Sequence, residues 1–214
     1  MLYEIVKQIS ALVFPCFLNI QPIDMERDEK MKKITLLLCV LILSLMVTDI
    51  YAHRPVIVKN ESSKDKPVIV KKPEISYAFY GILSGEPHYY KIVSSKPFEL
   101  YTNILVPDYS PKTEPIAKHD ISFEILKDNT PIFTVDGNNA EWKRFYEPYG
   151  KDNYYMGPEY DKNVEAGTYY VKVFNKTNTG KYSLATGKIE KFTPWGLIGA
   201  IFKARSLDKW FFKQ

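Results

Sequence analysis

Apolar and polar positions alternate in different ways along the chain. From Met31 the sequence reads MKKITLLLCVLILSLMVTDIYA: Lys32 and Lys33, an apolar run from Ile34 to Val47, then Ile50-Tyr51-Ala52. A short basic segment, an apolar stretch and a small residue two places after an aliphatic one form the layout of a secretory signal peptide. The apolar run falls short of the roughly 20 residues that span a bilayer. Cleavage after Ala52 is therefore expected, leaving His53 at the new N-terminus, in preference to a membrane anchor. Before it lie a weakly amphipathic stretch, Leu2 to Ile20, and Met25-Glu-Arg-Asp-Glu-Lys. Glu, Lys and Asp codons are nearly all purine, and with AGG at Arg27 the DNA ahead of Met31 would resemble a ribosome-binding site. Residues 1–30 are expected to be leader translated from a start placed too early, with a cytoplasmic extension as the alternative.

Past the cleavage site, His53 to Pro73 contains a repeat: Pro55-Val-Ile-Val-Lys recurs as Pro67-Val-Ile-Val-Lys, with Asn-Glu-Ser-Ser-Lys-Asp-Lys between. Prolines beside short apolar runs fit an extended linker or an edge strand. A flexible spacer over 53–73 is expected, the alternative being that one copy adds an edge strand. From Ile75 short β-like runs follow one another: 75–83, 89–93, 98–106, 121–126, 132–135, 142–146, 168–174 and 182–186. Gly85-Glu-Pro, Asp128-Asn, Asp136-Gly, Ala166-Gly and Asn178-Thr-Gly separate some of them. Tyr77, Phe79, Gly81 and Leu83 alternate with Ser76, Ala78 and Tyr80, which predicts one buried and one partly wet face. Many short strands without an intervening helical period predict an all-β antiparallel sandwich or barrel, here over 74–192, with Gly180 closing a last hairpin.

The segment 193–214 has helical spacing. Leu197, Ile198, Ile201, Ala204, Phe211 and Phe212 share one broad face. Two readings stay open: a C-terminal amphipathic helix packed on the sandwich, or a basic helix on an anionic membrane surface. The second would use Trp195, Lys203, Arg205, Lys209, Trp210, Phe211 and Phe212 as contacts.

Composition narrows the chemistry. Residues 53–214 hold 24 Lys and Arg against 19 Asp and Glu, a net +5 that is scattered, so no nucleic-acid partner is expected. Cys16 and Cys39 both precede His53. The mature chain thus has no disulfide, no catalytic thiol and no zinc-cysteine site. His53, His88 and His119 lack metal-ligand spacing, although an N-terminal His53 could chelate copper through its amine and ring. Neither a G-x-S-x-G elbow nor a Gly-rich phosphate loop occurs.

Two segments carry a family resemblance. Tyr77-Ala-Phe-Tyr-Gly-Ile-Leu-Ser-Gly-Glu-Pro-His-Tyr-Tyr-Lys-Ile resembles the opening of bacterial pre-peptidase C-terminal domains. Ala166-Gly-Thr-Tyr-Tyr-Val-Lys-Val-Phe, followed by Gly180-Lys-Tyr-Ser-Leu-Ala, resembles their close. The resemblance covers about residues 75–187. It implies a small jelly-roll-like sandwich of secreted proteins, often appended to peptidases, and no catalysis. No peptidase accompanies it here.

The segment from Phe145 to Asn163 concentrates aromatics and acids in what reads as a long loop. Tyr146, Glu147, Tyr149, Asp152, Tyr154, Tyr155, Glu159, Tyr160 and Asp161 are the candidate ligand-binding residues. Exposed aromatics beside carboxylates suit a sugar or peptide, and clustered carboxylates could hold Ca²⁺, although no cofactor is expected. The plainer reading is a crossover loop whose tyrosines cover the open end of the core. The function expected is a non-catalytic exported binding module of the bacterial cell envelope, periplasmic or extracellular, with an envelope protein or glycan as partner. A polymer-acting hydrolase and an accessory subunit of a surface complex are the alternatives.

Overall fold

The computed structural model describes residues 25–45, 53–58, 62–110, 113–115, 119–148, 151–190, 207 and 210–212. They fall into two units, divided between Tyr51 and Ala52, which are taken separately. The first contributes one helix, α1 (Met25–Leu45). It begins ahead of Met31 and carries Lys32 and Lys33 within it; Lys33 pairs with Glu29 one turn back, at 3.3 Å. Leu36, Leu37 and Val40 are exposed. Among the described residues no helix is long and apolar enough to cross a membrane.

The second unit is a two-sheet β-sandwich. Its strands are β1 (Arg54–Ile57), β2 (Val68–Val70), β3 (Tyr77–Ser84), β4 (His88–Ser94), β5 (Phe98–Pro107) and β6 (Ser122–Lys127). They continue as β7 (Thr130–Val135), β8 (Lys143–Glu147), β9 (Asp152–Val164), β10 (Gly167–Phe174) and β11 (Thr179–Thr186). Sheet A runs β1-β3-β11-β5-β9-β8 and sheet B runs β2-β4-β10-β6-β7.

The alternation in the sequence sets which side chains meet between the sheets. In β10, Tyr169, Val171 and Val173 are buried while Thr168, Tyr170, Lys172 and Phe174 are half-buried on the other face. Phe79 and Leu83 of β3, Tyr90 and Ile92 of β4, Leu100 and Ile104 of β5, and Phe123 and Ile125 of β6 complete the core with Leu184 of β11. Fully burying such a side chain contributes about 1.5–3 kcal/mol, so a core of this size does without disulfides.

One polar chain crosses that core. His88 Nδ1 and the Tyr182 hydroxyl are 2.7 Å apart, and the Tyr182 and Tyr90 hydroxyls are also 2.7 Å apart. All three residues are buried, and each hydroxyl finds a partner there, as burial demands. Burial drives the pKa of both tyrosines upward. Tyr182 lies across the ladder from Gly81. A Cβ on Gly81 would come within 2.6 Å of the Tyr182 ring, so glycine is what admits it.

Three expectations need correction. The spacer over 53–73 contains two edge strands, one from each copy of the repeat. β1 pairs with β3 in sheet A and β2 with β4 in sheet B, both in parallel. The sandwich is therefore mixed at these two edges rather than wholly antiparallel. Pro55 fits because an edge strand tolerates a missing N–H. The last two strands form no hairpin: β10 pairs with β4 and β6, β11 with β3 and β5. Asn175 bends the chain from one sheet to the other: its Nδ2 donates to Thr179 O (2.8 Å) and its Oδ1 accepts from Thr179 N (3.1 Å). Finally, Phe145 to Asn163 is a β8–β9 hairpin, not a loop. By contrast Asp128 and Asn129, both at positive φ (47° and 72°), do join β6 to β7 in a tight turn.

Candidate functional site

The aromatic segment singled out in the sequence lies at the β8–β9 margin of sheet A, and three of its tyrosines are consumed by the fold. Tyr154, Tyr155 and Tyr160 are buried. The Tyr160 ring packs 4.9 Å from that of Phe133. The Tyr155 hydroxyl lies 2.6 Å from Ser110 Oγ and accepts from Arg144 Nη2 (3.3 Å). Arg144 also pairs with Asp108, Nε to Oδ2 at 3.2 Å. Burial alone would raise the Asp108 pKa, but hydrogen bonds from Ser110 and Tyr155 and the Arg144 charge hold it below the ordinary carboxylate value. The His119 ring packs at a tilt against Tyr155 at 4.4 Å and edge-on against Trp142 at 5.2 Å. Its Nε2 is buried without a hydrogen-bond partner among the described residues. These groups tie the start of the β5–β6 connection to the β8–β9 hairpin.

The remaining predicted ligand residues do not converge. Tyr146 is exposed, and Glu147 and Asp152 are half-buried opposite each other in the hairpin register. Glu159 accepts from the Tyr101 hydroxyl at 3.2 Å. Asp161 is bound by Lys188, which also reaches Glu99 at 2.9 Å. Tyr149 lies outside the described residues. Among the described residues no three His, Cys, Asp or Glu side chains come together as metal ligands.

Of the predicted membrane contacts, Trp195, Lys203, Arg205 and Lys209 lie outside the described residues, and Trp210, Phe211 and Phe212 are placed. Phe211 is buried, its ring 5.1 Å from Tyr80, and Tyr109 donates to its carbonyl at 2.9 Å. Phe212 packs edge-on against Tyr154 at 5.5 Å. These two aromatics pack on the outer face of sheet A. Burial under them pushes the Tyr80 pKa up to about 12. Trp210, 37% exposed, turns elsewhere.

Trp210 turns toward a cleft of about 990 Å³ at the opposite margin, between β1 and β2. Val56, Ile57 and Val58 form one wall, Pro67 and Val68 another, and Ile82 and Ser84 of β3 a third. Ser62, Ser63 and Lys66 supply polar groups. The backbone around it is unevenly satisfied. In sheet B, Ser62 seals the start of the β2–β4 edge: its carbonyl accepts from Tyr89 N (2.7 Å), its hydroxyl donates to Tyr89 O, and it accepts from Val68 N (3.1 Å).

In sheet A, the described pairing of β1 with β3 runs as far as Tyr80. Arg54 N donates to Ser76 O and Val58 N to Tyr80 O, both at 2.9 Å. Alternate residues of a strand turn their backbone groups to the same neighbour. Ile82 and Ser84 therefore point theirs to the β1 side, and no described strand lies beside them there. Among the described residues, the half of the β3 edge beyond Tyr80 has no strand on that side, and Ile82 and Ser84 line the cleft. The sequence signal for it was the repeat itself, read as a spacer.

The described histidines are each held in place: His53 lies 2.6 Å from Ser76 Oγ, His88 is bonded to Tyr182, and His119 is packed as above.

In comparison with known proteins, no family model and no curated protein matches the chain. Among solved structures it is similar to the pre-peptidase C-terminal domain of a collagenase from Bacillus anthracis. The identity is 10%, 63% of this chain and 95% of that chain are covered, and the TM-score is 0.32. The family named there is the one that residues 77–92 and 166–185 resemble. The class assigned to the chain, a two-sheet β-sandwich, rests on its own strand pairing.

Proposed function

We propose that this protein is a non-catalytic exported module of the bacterial cell envelope that binds a partner protein in the cleft between its two repeat strands. The observation that carries the proposal is the cleft itself, walled by apolar side chains with a few polar groups at its rim. Binding sites are typically concave and mostly apolar with few, placed polar groups. Export draws support from the signal-peptide layout of residues 31–52. A non-catalytic role draws support from the described histidines, each engaged in a packing or hydrogen-bonding contact inside the fold.

Site-specific photo-crosslinking in living cells tests this. With the crosslinker at Ser84, adducts to an envelope protein are expected; at Tyr146, on the opposite margin, none are. Adducts from Tyr146 alone would reject the cleft as the site. N-terminal sequencing of the native protein should find His53, and an intact Met1 or Met31 would reject export with cleavage.

A further inference from the structure

We infer that the partner enters the cleft as an extended polypeptide segment that adds a strand to sheet A, in line with β1, and places an acidic side chain on Lys66. The inference deepens the cleft reading above and rests on it. Three features of the molecule converge on an added strand. β1 covers the β3 edge only as far as Tyr80, and the backbone groups of Ile82 and Ser84 face the cleft with no described strand beside them. An open edge is a ready template for pairing with another chain. Recognition by strand addition takes its affinity from main-chain hydrogen bonds and its selectivity from the pockets that alternate side chains enter.

The pockets here are apolar on both faces of the prospective strand. A strand beside Ile82 and Ser84 continues the line of β1, whose Val58 reaches the core and whose Ile57 packs on the outer cluster with Phe211. One set of its side chains would meet Val58 and Val68; the other would meet Ile57 and Trp210. This selects an apolar extended segment over a glycan, which offers neither an amide edge nor alternating side chains. Charge adds a preference. Lys66 is exposed at the rim and has no ion pair among the described residues. It sits in Lys64-Asp65-Lys66, a locally positive stretch. The equivalent edge of sheet B offers no such opening, because Ser62 occupies it.

The test uses the full chain, isotope-labelled, and three synthetic peptides. One alternates valine and threonine and ends in glutamate. The second ends in lysine instead. The third is the glutamate peptide N-methylated at every second amide, which removes the donors of one edge. Titration should shift the amide signals of Ile82 and Ser84 with the glutamate peptide. Binding should be about tenfold weaker with the lysine peptide, the factor that 1.4 kcal/mol represents, and lost with the N-methylated one. Lys66→Glu should reverse the preference between the two charged peptides. Ile82→Pro, at a position whose N–H has no described partner, should fold and fail to bind.

Absence of binding by any peptide overturns the inference, as does equal binding of the N-methylated peptide or shifts confined to other strands. A concentration-dependent dimer abolished by Ile82→Pro would make the occupant a second copy of this chain and would also overturn it. Crosslinks from Ser84 together with no peptide binding would sink the added strand while leaving the cleft reading in place.

Discussion

The β8–β9 margin of sheet A is dense in tyrosine and carboxylate, and the β1–β2 margin is a pair of Val-Ile-Val repeats between prolines. On residue type alone the first looks like a binding surface and the second like a spacer. The structure buries three tyrosines of the first and builds edge strands from the second. Tyr154, Tyr155 and Tyr160 are buried, while the repeats frame a cleft and, among the described residues, leave part of the β3 edge without a strand beside it. The difference teaches that aromatic density reports buried area as readily as exposed area. What marks a binding edge is unsatisfied backbone next to apolar walls, and that depends on which strand stops short.

The largest effect expected from this contrast is on stability. Tyr155→Ala removes a buried ring and the partner of Ser110 and Arg144, and should cost about 3–5 kcal/mol in urea denaturation, by analogy with buried aromatic truncations. Ile69→Ala on β2, with its side chain more than half exposed, should stay within about 0.5 kcal/mol. Similar costs at the two positions would break the contrast between the margins.

A smaller effect sharpens the account of the core between them. Tyr182→Phe deprives both His88 and Tyr90 of their shared hydroxyl and should cost about 1–3 kcal/mol. The same network gives an alkaline signature. Tyr90 and Tyr182 have folded pKa values raised by burial above the unfolded value of about 10. A raised pKa means that the folded state holds its protons longer. The stabilisation is complete below pH about 10 and is lost as pH rises through and beyond that value. Stability measured across this range should fall less steeply in Tyr182→Phe than in the parent; an unchanged slope would remove these tyrosines from the explanation. The smallest effect belongs to Lys188→Ala. That lysine bridges Glu99 and Asp161 at an exposed site, where ion pairs contribute little. No change in thermal midpoint is expected, and a clear drop would make this face of sheet A more than a solvated one.

The architecture was legible where periodicity and turn chemistry act locally. The alternation in Tyr77 to Leu83 marks the core-facing Phe79 and Leu83 correctly, and Asp128-Asn129 marks a turn. Three features were not legible, each for a physical reason. A hairpin and an arch between sheets use the same punctuation, so Asn175 to Gly180 does not reveal that β10 and β11 part company. A short run between prolines is equally compatible with a spacer and with an edge strand, because an edge requires no N–H on its free side. In 145–163, period-two alternation is blurred because both faces of β9 are covered. Tyr155 and Tyr160 face the core cluster, while Tyr154 faces the outer cluster of Phe211 and Leu207. The candidate site was missed for a related reason: an open edge is defined by where β1 ends, which no residue in β3 announces.

Among the described residues, β3 is paired on both sides up to Tyr80 and on one side beyond it. Amide hydrogen exchange of the free protein tests this residue by residue. Gly81 and Leu83, which face β11, should be strongly protected. Ile82 and Ser84, which face the cleft, should exchange far faster, close to solvent-exposed rates. Uniform slow exchange from Gly81 to Ser84 would mean that the edge is already covered, and the account of the cleft would fail with it.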